Sequence, residues 1–305
     1  MLTYGCMISC FSHELYNVLP ALFYFLGRDF FKLNYMKTNV NYNESNLDTM
    51  AKMPDCFLDL TVTSPPYDSI RDYKGFGFNV VEMAKSLFRV TKEGGIVVWI
   101  VADQTINGSE SCTSFKQALM FVDAGFNLHD TMIYHKAGFP FPEKTRYNPV
   151  FEYMFVFSKG KPKIANLIED KLNKYSGEKV ARQSGQRQKN GELKENSAFR
   201  NNKSKEVKLY GVRDNIWYYA IGRGNSTSDD VAFEHPAIFP EKLAYDHIKT
   251  WSNENDLVYD CFMGSGTTAK AAISAKRNWI GSEISKEYCD IIEKRLEPLR
   301  HNLFT

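Results

Sequence analysis

Phe57-Leu58-Asp59-Leu60-Thr61-Val62-Thr63-Ser64-Pro65-Pro66-Tyr67 is a run of strand-forming residues that stops at two prolines. Proline has no N–H for a ladder and fixes φ near the turn value, so a strand carrying this sequence must leave its sheet there. In an open α/β sheet, the crevice beyond the carboxyl ends of the strands is where ligands bind. Ser64 brings a hydroxyl to that place, Pro65 a backbone carbonyl held by its own ring, and Tyr67 a flat aromatic face. The set suits a planar ligand bearing an NH2 group. Alone, the same four residues read equally well as a strand-ending turn.

Outward from this stretch the chain alternates strand and helix signals, which predicts an α/β core. Asn46–Met53 reads as a short helix capped by Asn46, and Asp55–Thr63 as the strand into the proline pair. Residues 68–77 read as a polar, glycine-containing loop over the site. Val80–Val90 has apolar residues at helical spacing and precedes Gly94-Gly95. Ile96–Val101 is a continuous apolar strand of the kind a doubly covered sheet requires. A helix over Ser114–Ala124, a strand over Asp130–Tyr134 and a strand over Phe151–Ser158 continue the pattern. The turn His135–Pro142, rich in aromatics and proline, reads as packing against the sheet.

The second decisive stretch is Leu257-Val258-Tyr259-Asp260-Cys261-Phe262-Met263-Gly264-Ser265-Gly266-Thr267-Thr268: a short strand, a tight glycine turn and a helix start. Its glycines permit close backbone approach to a ligand, and the free N–H groups of the helix start favour a polar one. No lysine stands at phosphate-loop spacing, which argues against ATP. Trp279–Glu283 is a further strand ending in an acid close to twenty residues beyond the turn, an arrangement that places a carboxylate on ribose hydroxyls; NAD would serve that pattern equally. A helix from Pro240 to about Trp251 and an amphipathic one over Tyr288–Leu296 complete the reading.

The two motifs, in this order, resemble the β class of DNA amino-methyltransferases, whose (S/D/N)-P-P-(Y/F) motif precedes a D-P-F-x-G-S-G-T-T loop. Cys261 departs from the family, standing where proline is usual. The resemblance implies a Rossmann-like methyltransferase fold: a mostly parallel, doubly wound sheet with helices on both faces and a basic variable insertion. It implies S-adenosyl-L-methionine as cofactor and Ser64, Pro65, Pro66 and Tyr67 as the catalytic set. Asp260, Phe262, Gly264, Ser265, Gly266, Thr267, Glu283 and His235 would hold the cofactor. The substrate would be the exocyclic amine of a base flipped from double-stranded DNA, cytosine N4 favoured by Ser64 and adenine N6 the alternative. A small-molecule or RNA methyltransferase, an oxidoreductase and a silent DNA-binding protein are the rival classes.

Domain expectations follow. Residues 36–158 form the catalytic half, 159–230 the basic target-recognition insertion and 231–305 the cofactor-binding half of one domain. Met36 resembles a natural beginning for the family, so residues 1–35 are expected to be a dispensable extension or an upstream start. Their apolar run, Leu15 to Leu26, is too short for a bilayer and is broken by Pro20. Between Lys159 and Arg213, fifteen Lys and Arg face six Asp and Glu, within a chain of net charge only +2. That block suits phosphate tracking, with Arg182, Arg187, Lys189, Arg200 and Lys203 as DNA-binding candidates. The six cysteines form no C-x-x-C pair, so no metal is expected; they fit a reducing cytoplasm. No membrane partner is expected, whereas a homodimer and a cognate restriction nuclease are open possibilities.

Overall fold

The computed structural model describes residues 36–66, 78–137, 144–180, 186–187, 189–194 and 205–301. The readings made for residues 1–35, for Tyr67 and the loop after it, for the 138–143 part of the aromatic turn, and for Arg182, Arg200 and Lys203 lie outside them.

Eight strands build the main sheet. In chain order they are β1 (Val40–Tyr42), β2 (Leu58–Thr63), β3 (Thr91–Val101), β4 (Asn127–Ala137), β5 (Phe151–Ser158), β6 (Ile216–Ala220), β7 (Leu257–Asp260) and β8 (Asn278–Ser282). Helices α1 (Asn46–Lys52), α2 (Val80–Val90), α3 (Thr113–Asp123), α4 (Glu241–Trp251), α5 (Thr267–Ser274) and α6 (Lys286–His301) connect and cover it. The spatial order is β1-β8-β7-β2-β3-β5-β4-β6. Among these strands β5 alone runs antiparallel to its neighbours, against β3 and β4. The sheet is therefore mostly parallel with helices packed on it, the Rossmann-like arrangement expected.

Boundaries differ where local signals compete. The cap of α1 is Ser45 rather than Asn46, because the Ser45 hydroxyl accepts the Asp48 N–H at 3.1 Å. β3 begins at Thr91, not Ile96; Gly94 (φ +78°) and Gly95 sit inside it, where the pairing with β2 shifts register between Leu58 and Leu60. A bulge absorbs the glycine pair that the sequence presents as a turn. β4 is also longer than expected, because it pairs with β5 from Asn127 to His135. Ile216–Ala220, inside the segment assigned to the basic insertion, is the edge strand of the main sheet and pairs with β4. β6 thus divides the part of that segment outside the sheet, leaving 221–230 on the far side of the strand.

The central strands are apolar because both faces are covered: Ile96 through Val101 are fully buried, as are Leu60, Val62 and Val258. The Trp99 indole N–H donates to Gln117 of α3 at 2.7 Å, so the largest core side chain is also satisfied. Among the described residues no helix is long and apolar enough to cross a membrane.

His247 of α4 is fully buried, with Nε2 3.2 Å from the Met154 sulfur and its ring 4.5 Å from that of Trp217. Burial depresses its pKa to about 3. Between the ordinary histidine value and that one, the unfolded chain binds a proton that the folded chain refuses, so stability falls as pH drops through this window. Urea unfolding is expected to show wild type losing roughly 2 kcal/mol between pH 7 and pH 5 through this group. A His247→Leu variant should lack that component; equal pH slopes for the two proteins would refute the assignment.

Candidate active site

Ser64, Pro65 and Pro66 follow directly on β2, and the chain there leaves the sheet as the prolines require. Pro65 is buried while Ser64 and Pro66 are half-buried. They line one side of a cavity of about 550 Å³ whose other side carries Phe262, Gly264, Ser265, Thr267, Glu283 and His235. Two motifs two hundred residues apart in sequence thus share one chamber. The reason is pairing: β2 lies beside β7 in parallel, with Val258 opposite Leu60 and Tyr259 opposite Thr61. Both strands release their chains at the same sheet edge.

Asp260 and Gly266 stand apart from the other expected cofactor residues, for neither lines the cavity. The Asp260 carboxylate is 1% exposed and fully engaged by protein. It accepts from the Thr63 hydroxyl at 2.6 Å, the Thr268 hydroxyl at 2.6 Å and the Phe262 N–H at 3.0 Å. It therefore ties the residue before Ser64 to the first turn of α5. Burial raises its pKa, and the hydrogen bonds from Thr268, Thr63 and Phe262 oppose that rise. Gly266 caps α5 in the left-handed region (φ +84°), a backbone position that favours glycine.

Glu283 folds both carboxylate oxygens onto backbone: Gly264 N–H donates at 2.9 Å and Ser285 N–H at 2.8 Å. Burial raises its pKa, these hydrogen bonds again opposing. The carboxylate thus holds the glycine turn open while facing the cavity. A Cβ on Gly264 (φ +54°) would stand 3.1 Å from His235 Nε2. His235 Nδ1 lies 2.6 Å from the Ala237 carbonyl, and its ring meets Tyr288 edge-on at 4.3 Å. Phe262 packs edge-on to Phe78 at 4.8 Å, forming an aromatic part of the wall.

One element of the site gave no sequence signal. Arg295 of α6, its side chain wholly buried, braces the glycine turn from behind. It donates to the Ser265 carbonyl at 2.8 Å and the Thr267 hydroxyl at 3.1 Å, and it pairs with Asp229 at 2.9 Å and Glu241 at 2.5 Å. Lys270 joins both acids, at 2.6 and 2.9 Å. Burial alone would raise the Asp229 pKa, yet the hydrogen bonds from Lys270 and Arg295 prevail and lower it.

Across the cavity, on β4 and β5, stand Tyr134, Lys136 and Glu152. Beyond them the basic segment is fastened at its base: Arg213 pairs with Asp170 at 3.0 Å and with Asp246 of α4 at 2.8 Å, and Tyr219 donates to Asp246 at 2.8 Å. Of the DNA-binding candidates, Lys189 is exposed, and Arg187 lies in a two-residue antiparallel ladder opposite Leu193. Among the described residues no group of three or more His, Cys, Asp or Glu is placed to hold a metal ion.

Comparison with known proteins places this geometry. An N6/N4 methyltransferase family profile, described as DNA methylase, matches residues 58–294. The chain is 57% identical over 243 residues to the orphan methyltransferase M.BamHII of Bacillus amyloliquefaciens, covering 80% of this chain and 90% of that one. It is 26% identical over 275 residues to the type II methyltransferase M.ScaI of Streptomyces caespitosus, covering 86% and 83%. In fold it resembles the PvuII cytosine-N4-specific DNA methyltransferase, with TM-score 0.61 at 18% identity over 87% of this chain and 92% of that one. It also resembles M1.HpyAVI solved with S-adenosylmethionine, with TM-score 0.52 at 22% identity over 84% and 98%. The chamber shared by a Ser-Pro-Pro turn and a glycine turn, together with the profile match, shows that the chain belongs to the N6/N4 family of DNA methylases.

Proposed function

We propose that the protein transfers the methyl group of S-adenosyl-L-methionine to the exocyclic amine of a base flipped from double-stranded DNA, with cytosine N4 as acceptor. The observation that carries this reading is the common cavity of Ser64-Pro65-Pro66 and the Gly264–Thr267 turn. The residues present fit the cofactor. A turn whose Gly264 would bring a Cβ tightly against His235 at 3.1 Å, a Glu283 carboxylate at the wall and the first turn of α5 form a cradle for a molecule carrying ribose hydroxyls and an amino-acid end.

When bound, the cofactor supplies a methyl already activated on a sulfonium. The chain's own task is the acceptor, because the amine lone pair of a base is delocalised into its ring. Ser64 Oγ and the Pro65 carbonyl would accept the two N–H hydrogens and draw the nitrogen towards tetrahedral geometry, freeing the lone pair for in-line attack. Phe262 and Phe78 help keep the chamber apolar, which strengthens those two hydrogen bonds. Tyr67 would stack on the extruded base, and the basic segment, Lys189 included, would follow phosphates.

Sequencing that detects modified bases, on host DNA with and without the gene, tests the reading and returns the base and its context. N4-methylcytosine appearing at one short motif is the expected result. N6-methyladenine would move the acceptor, and no modified base would remove the proposal.

The cradle makes a second prediction. Gly264→Ala forces a side chain into the left-handed region against His235, a strain of about 1–2 kcal/mol. The free loop relaxes from that conformation and binding must restore it, so affinity weakens on the order of tenfold. Calorimetric titration with S-adenosylmethionine measures it, and unchanged affinity would contradict the cradle.

A further inference from the structure

We propose that Lys136 and Glu152 read the ring edge of the target base and select cytosine over adenine, an inference that rests on the methyl-transfer reading above. The two residues form an ion pair at 3.3 Å, with side chains 27% and 13% exposed, and both line the chamber that holds Ser64. Withdrawing an ion pair from water contributes little to stability relative to apolar residues of the same volume. A pair kept in the wall of a ligand chamber points instead to recognition.

Its place in the sheet fits the size of the task. Along the order β8-β7-β2-β3-β5-β4, the Glu283 and Gly264 end of the chamber lies on one side of Ser64. Lys136 on β4 and Glu152 on β5 lie on the other side, beyond β3. The cofactor cradle and the ion pair therefore flank the acceptor position from opposite directions. β4, which carries Lys136, is three strand spacings from β2, roughly 14 Å; the lysine side chain, drawn towards β5 by Glu152, shortens that span to about the length of a pyrimidine's hydrogen-bonding edge with one hydrogen bond at each end. Tyr134, the register partner of Glu152, lines the same wall beside the pair.

The chemistry then discriminates. A cytosine held by its amine at Ser64 and Pro65 presents N3 and then O2 along the same edge, both acceptors. Adenine held the same way presents N1 and then a C2–H. Lys136 Nζ has three donors, one directed at Glu152, leaving another for O2, the one acceptor that adenine lacks. Glu152 is a positioning residue: it fixes the ammonium and offsets its charge, which matters because the attacking nitrogen becomes cationic as it takes the methyl, until it sheds a proton.

The test uses the full-length protein and three duplexes with the sequence context returned by the modified-base experiment. The target nucleotide is cytosine, adenine, or a 2-aminopyridine C-nucleotide that keeps the amine and ring nitrogen but has C–H where cytosine has O2. Wild type is expected to lose about 10- to 100-fold in kcat/KM from cytosine to the analogue. Lys136→Met should lose the same factor on cytosine and no more on the analogue. Glu152→Gln, nearly isosteric, should lower kcat on cytosine, and S-adenosylmethionine affinity should be unchanged in both variants. Equal losses for Lys136→Met on both substrates, or indifference of wild type to the missing O2, would overturn the proposal. Faster transfer to adenine would overturn it while leaving methyl transfer intact. No transfer to any duplex would instead take down the parent reading.

Discussion

Ser64→Ala is expected to lower methyl transfer by about 10²- to 10³-fold, the usual loss when one preorganised partner of the reacting group is removed. Affinity for S-adenosylmethionine should be unchanged. The separation follows from position: Ser64 projects from the end of β2, whereas the proposed cradle is built on β7, α5 and the end of β8. Ser64 is half-buried, so removing its hydroxyl leaves a small void and little change in stability. Single-turnover transfer and calorimetric cofactor binding on the same preparation would measure both quantities. Full activity in the variant would discard the role given to Ser64, and lost cofactor binding would show that the two sides of the chamber do not act separately.

Asp260→Ala should have the opposite signature, losing stability and activity together. The substitution strips one acceptor from two buried hydroxyls and one N–H, leaving the donors of Thr63 and Phe262 without it and Thr268 with only the Val62 carbonyl, at 3.3 Å. Summed over three such groups, about 3–5 kcal/mol is expected, a fall in Tm on the order of 10 °C. Asp260→Asn keeps the shape and part of the bonding. Because burial already raises the pKa of this acid, its neutral isostere should recover much of the lost stability. Thermal unfolding of the two variants side by side decides the matter. If alanine and asparagine cost the same, the carboxylate is not the tie between the two motifs that its contacts describe.

The sequence disclosed the site well where chemistry demands particular residue types in a short span. Ser64-Pro65-Pro66 and Gly264-Ser265-Gly266-Thr267 are local patterns, and a strand running into proline or into a glycine turn has few other conformations. Asp260 lies in the motif but is turned away from the chamber, a distinction that depends on Thr63 lying two hundred residues upstream. Arg295 was illegible for a related reason. Its partners Asp229, Glu241, Ser265 and Thr267 follow no spacing, and an arginine on an amphipathic helix normally reads as solvated surface. The fold was legible in its central strands, whose unbroken apolar runs reflect burial on both faces. β6 fell inside the segment assigned to the basic insertion, although it carries a pattern of its own: Trp217 and Tyr219 are buried while Ile216, Tyr218 and Ala220 are exposed. That alternation is the signature of a sheet edge.

The interleaved strand order has a consequence for a severed chain. β7 and β8 are inserted between β1 and β2, and β6 closes the opposite margin. A nick at the Asn190-Gly191 turn would leave one fragment with β2-β3-β5-β4 and an isolated β1, and another with β8-β7 and an isolated β6, each with raw strand edges that only the other can cover. Co-expressed, the fragments should complement one another, and a methylation mark in the genome would then record their reunion.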